Sequence, residues 1–87
     1  MTNNDKRYSK QLLGKTIVSK TGRRFGELGN LHFETKTREL LQLELKNPTS
    51  LANGLDLERD EEGNILIPYS AVIAIGDFVV VSEEDII

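Results

Sequence analysis

The stretch IPYSAVIAIGDFVVV, residues 67–81, is the least polar part of the chain, and its reading decides the fold. It is a buried helix, a membrane span, or two strands folded on each other. A helical span needs about 18 or more consecutive apolar residues. The longest uninterrupted apolar runs here are Ala71 to Ile75 and Phe78 to Val81. A helix through 71–81 would have to carry Gly76, Asp77 and six β-branched residues in its interior, all poor helix formers. Two strands remain. Val72 to Ile75 and Phe78 to Val81 are β-branched or aromatic, and Gly76-Asp77 supplies a two-residue hairpin connection. Pro68 lacks an N–H, so Pro68-Tyr69-Ser70-Ala71 is predicted to be a short helical turn ahead of the hairpin.

Working outward, the other segments also read as short strands. Thr16-Ile17-Val18 precedes Ser19-Lys20-Thr21-Gly22-Arg23, which has the composition of a tight turn. The next strand, Phe25 to Phe33, changes phase: Leu28 is even, whereas Leu31 and Phe33 are odd. A β-bulge at Gly29-Asn30 would produce that slip and bend the strand. His32, between Leu31 and Phe33, falls on the outer face. In Glu39 to Lys46, Leu41, Leu43 and Leu45 are predicted to face one way and Gln42 and Glu44 the other. After Asn47-Pro48 comes a long acidic loop, 47–64, with Leu51, Leu55 and Leu57 as a candidate helical turn, and then a strand at Ile65-Leu66-Ile67. The expected fold is all-β: a small, strongly bent, mostly antiparallel barrel of five to six strands closing on one core. The domain spans 11–82, with a flexible N-terminal tail at 1–10 and a C-terminal tail at 83–87.

At 87 residues, the chain suffices for one domain with a thin core. It has no cysteine, which excludes disulfides and thiolate metal sites and fits a cytoplasmic protein. The net charge of −3 is unevenly distributed. Residues 1–46 hold ten Lys/Arg and five Asp/Glu, giving +5; residues 47–87 hold one Arg and nine Asp/Glu, giving −8. Neutralisation within one fold is the favoured reading, and head-to-tail association the alternative.

The inventory for chemistry is poor. With one histidine, no cysteine and no serine in a nucleophile elbow, no catalytic constellation can be assembled. The acidic run from Asp56 to Gly63 resembles a calcium loop only superficially, because Glu61 stands where the loop requires glycine and Ile67 where it requires glutamate. No catalytic, cofactor-binding or metal-ligating residue is therefore expected, and no cofactor. Lys15, Lys20, Arg23 and Arg24 are a candidate basic patch for RNA or anionic lipid. The acidic pI of about 5.1 and the lack of interleaved aromatics favour a solvated turn instead. A non-enzymatic barrel would act through strand edges and apolar patches, and its open edges would support a homodimer or higher oligomer. Leu51, Leu55, Leu57, Ile86 and Ile87 are the candidate partner contacts.

Leu13-Gly14-Lys15, Gly22-Arg23-Arg24-Phe25-Gly26-Glu27-Leu28, Ile67-Pro68-Tyr69-Ser70-Ala71-Val72 and Ile75-Gly76-Asp77, in this order, resemble the PRC-barrel family over roughly residues 11–82. One departure is the turn after the second strand. It often carries Thr-Gly-Arg in the family but reads Thr37-Arg38 here. The resemblance implies a protein-interaction module. Small stand-alone archaeal members include cell-division proteins that associate with the SepF membrane anchor and, through it, the FtsZ ring. That implies a cytoplasmic adaptor whose partner is a SepF-type division protein or another PRC-barrel protein, recruited to the division site without inserting in the membrane itself. The alternative it implies is a ribosome-assembly or RNA-metabolism factor similar to the barrel of RimM-type maturation factors.

Overall fold

The computed structural model describes residues 12–86. The expected N-terminal tail and Ile87 lie outside them. The elements are β1 (Thr16–Ser19), β2 (Arg24–Phe33), β3 (Leu40–Lys46), α1 (Ser50–Gly54), β4 (Leu66–Pro68), a 3-10 turn (Tyr69–Ala71), β5 (Val72–Ile75), β6 (Phe78–Val81) and α2 (Glu83–Ile86). The six strands form one sheet in the order β4-β3-β2-β1-β6-β5.

The opening stretch is the expected hairpin. β5 and β6 pair antiparallel, Val72 opposite Val81 and Ile75 opposite Val79. Because Ile75 faces Val79, the connection is wider than a two-residue turn, and the Gly76 N–H donates to the Phe78 carbonyl at 2.9 Å. Gly76 keeps a φ outside the left-handed region, so its use here is not forced by backbone strain. Pro68 ends β4 and hands over to the 3-10 turn, as its missing N–H dictates.

The bulge at Gly29 is also present: Leu28 pairs with Leu45 and Asn30 with Glu44, so Gly29 has no opposite number. A second irregularity decides Leu41. His32 pairs with Gln42 but Phe33 with Leu40, which leaves Leu41 as the extra residue of β3. Leu41 is 49% exposed, while Leu43 and Leu45 are buried, so the expected row of three inward leucines holds only two. The physical reason is the period of two: one inserted residue turns everything beyond it to the other face.

Three further points differ from the expectation. The sheet is bent but not closed, with β4 and β5 as its two edges. One pair, β1 with β6, is parallel, Thr16 lying beside Phe78 and Ser19 beside Val81. These strands come from opposite ends of the domain, so no hairpin fixes their relative direction. Residues 83–86, expected as tail, form α2. Glu83, Glu84 and Asp85 occupy its first turn, where the helix dipole favours negative charge.

The concave side of the sheet holds the core: Leu12, Ile17, Phe25, Leu28, Leu43, Leu45, Ile65, Ile67, Val79 and Val81 are all buried. Removing each such side chain from water contributes about 1.5–3 kcal/mol. Within the 47–64 connection, α1 closes one side of this core, with Ala52 buried and Leu51 and Leu55 packed against the cluster. Thr49 anchors it. Its Oγ1 accepts from the Ala52 N–H (3.3 Å) and donates to the Arg24 carbonyl (2.8 Å), and its own N–H donates to the Phe25 carbonyl (2.9 Å).

Candidate functional site

The glycines and serine of the N-terminal motifs prove to be turn chemistry. Gly14 sits at φ 89° and donates to the Leu28 carbonyl at 2.8 Å, pinning the Leu12–Lys15 turn to β2. Gly22, at φ 90°, completes the β1–β2 turn. There the buried Ser19 hydroxyl oxygen accepts from the N–H groups of Arg23 (3.1 Å) and Thr21 (3.3 Å). None of these groups is free to act on a ligand.

The same turn brings two of the four candidate basic residues to α2. Arg23 Nη1 meets Glu83 at 3.0 Å and Lys20 Nζ meets Glu84 at 3.6 Å. The positive half of the chain is thus joined to the negative half inside one fold. All four partners have some exposure, so each pair contributes less than about 1 kcal/mol, but the pairs reduce the positive field of the turn. Arg24 stands apart on β2, opposite Val18 of β1, and Lys15 is half-buried; neither forms an ion pair among the described residues.

His32 Nε2 lies 2.9 Å from Glu44 Oε1 on the outer side of β2 and β3. With Gln42 donating to Glu58 (3.1 Å) nearby, this is a polar, mutually satisfied surface. The acidic loop is likewise self-contained. Asp60 Oδ1 accepts from the N–H groups of Glu62 and Asn64, both at 2.9 Å, and Oδ2 from the Asn64 amide at 3.2 Å. The Asn64 N–H does most to hold the Asp60 carboxyl below its ordinary pKa of 3.8. Its oxygens are spent on the loop, which leaves little for a cation. Among the described residues, no three His, Asp or Glu side chains converge to hold a metal, and no helix is long and apolar enough to cross a membrane.

The candidate apolar contacts divide. Leu57 is a core residue, only 6% exposed, and offers nothing to a partner. Leu51, Leu55 and Ile86 are half-buried against the same core. The more exposed apolar groups lie elsewhere. On β6, Val79 and Val81 point inward, so Phe78 and Val80 point outward; across the ladder Val18 of β1 and Ala74 of β5 share that outer face. Phe78 is 53% exposed, and Ile73, at the irregularity of β5, is 51% exposed. The outside of the sheet is hydrogen-bonded and polar around His32, Gln42 and Glu44 and apolar around Val18, Val80 and Ala74, while Phe33 and Leu41 stand exposed at the far end of the β2–β3 hairpin. The sequence signal for the apolar face of β6 was the unbroken Phe78-Val79-Val80-Val81, apolar in both phases, which implies cover on both faces. The fold covers one.

A bent six-stranded sheet with an exposed apolar outer face on β1, β6 and β5 defines a small β scaffold. The chain belongs to the PRC-barrel family, whose domain model matches residues 4–85. It is also similar to Uncharacterized protein MJ1118 of the archaeon Methanocaldococcus jannaschii, 32% identical over 82 residues, covering 94% of this chain and 88% of that protein.

Proposed function

We propose that this chain is a non-enzymatic interaction module, a self-associating adaptor of archaeal cell division that binds a SepF-type membrane anchor and through it the FtsZ ring. The observation that carries the reading is the apolar outer face of β1, β6 and β5, led by Phe78 and Ile73, beside a face where His32 pairs with Glu44 and Gln42 with Glu58. Exposed apolar area of this kind is what interaction surfaces are made of. The archaeal origin of the 32% identical relative is in keeping with it.

The test is direct. The purified chain is expected to run above monomer mass and to bind a SepF-type protein at micromolar concentration. A strict monomer that binds no division protein would overturn the proposal. The ribosome-assembly alternative draws on the basic turn, where Lys20 and Arg23 are already met by Glu84 and Glu83. It would displace the first reading if the chain sedimented with ribosomes and lost that property on Arg23→Glu with Arg24→Glu.

A further inference from the structure

The sheet has two edges, and they are built differently. Along β4, Leu66 donates to the Glu58 carbonyl at 2.8 Å, Arg59 bridges to Ile65, and Pro68 at the end has no N–H to offer. That edge is covered by the chain's own 58–59 segment. β5 is flanked by β6 on one side and by no other strand among the described residues on the other. Its sequence, Val72-Ile73-Ala74-Ile75, contains none of the lysines, prolines or inward charges with which soluble proteins usually blunt an edge.

We propose that β5 and the apolar face behind it are where a second copy of this chain docks, β5 against β5 about a two-fold axis; this rests on the self-association reading above. Charge selects the occupant. The strand and the outer residues beside it, Val18, Phe78 and Val80, are uncharged, so an identical copy meets no like charge there. Two fixed charges border this patch: Asp77 at the hairpin tip, next to β5, and Arg24, opposite Val18 at the far side from β5. Antiparallel two-fold pairing that sets Val72 opposite Ile75 places each Asp77 beside the uncharged residues just ahead of the other β5, about 23 Å of strand from its twin. A parallel arrangement would set the two carboxylates side by side. The irregularity at Ile73 shortens the backbone pairing, so Ile73 and Phe78 supply the anchoring side chains and the main chain supplies the register.

Sedimentation equilibrium on the full chain, from micromolar to millimolar, is expected to show a reversible dimer. Ile73→Lys and Phe78→Lys should each raise the dissociation constant at least about tenfold. Both side chains are more than half exposed, so the far-ultraviolet circular dichroism should not change. Leu41→Lys, on an exposed residue of β3, should leave the dimer intact. Amides of residues 73–75 should exchange more slowly as concentration rises. A dimer unmoved by both β5–β6 lysines overturns this inference and leaves self-association standing, whether or not Leu41→Lys breaks it. A chain monomeric to millimolar overturns both, yet retained binding of a SepF-type protein would still support the adaptor role. Loss of that binding in Ile73→Lys, with an unaltered dimer, assigns the edge to the other protein and overturns the second copy as occupant.

Discussion

Arg38 holds φ at 63° in the turn between β2 and β3, donating its N–H to the Glu34 carbonyl at 2.8 Å. A side chain in the left-handed region costs about 1–2 kcal/mol. Glycine would meet no such cost at this position. Arg38→Gly removes that cost but frees the unfolded chain by up to about 1 kcal/mol. The net expectation is a gain of about 0.5 kcal/mol, read as a higher urea midpoint at unchanged slope. Asp60 gives a second prediction. Its folded pKa is depressed below 3.8 by hydrogen bonds from Asn64 and Glu62, so the unfolded state takes up the proton first. The stability it contributes is complete above 3.8 and is lost as pH falls from there through the lower folded value. Asp60→Ala should flatten this acid limb of a stability-versus-pH curve; an unchanged limb would show that other carboxylates set it.

At the scale of elements, α1 has five residues and cannot persist alone. Thr49 ties it to β2, so Thr49→Ala should cost about 1 kcal/mol and raise hydrogen exchange across residues 50–55 before the sheet opens. The strands themselves were legible because hydrophobic alternation and turn residues are local signals. The Gly76-Asp77 hairpin, the Gly29 bulge and the Pro68 turn could all be placed from single residues. What was not legible depended on partners distant in sequence. Leu41 turns outward because Phe33 takes Leu40, a register choice made across the β2–β3 ladder. α2 forms where a tail was expected because Ile86 finds the core and Glu83 and Glu84 find Arg23 and Lys20. Leu57 shares its stretch of sequence, the 47–64 connection, with Leu51 and Leu55, and only the fold places it inside.

For the whole molecule, the charge asymmetry of +5 against −8 was readable, and two pairs across it, Lys20–Glu84 and Arg23–Glu83, close inside one subunit. The exposed apolar face was harder to foresee. Nothing in Phe78-Val79-Val80-Val81 says which face the domain will leave uncovered. If two copies associate through it, mass action couples stability to concentration. The thermal midpoint should rise by a few degrees over a hundredfold concentration range, and Ile73→Lys should abolish that dependence.

The parallel contact of β1 with β6 has a consequence for synthesis. Residues 16–19 leave the ribosome early but do not meet their second neighbour until 78–81 have followed. Until then the nascent N-terminal hairpin has one flank bare. Closure links positions some sixty apart in sequence, a long-range step that slows folding. A chain halted even ten residues short of its end would lack the strand that joins its two halves.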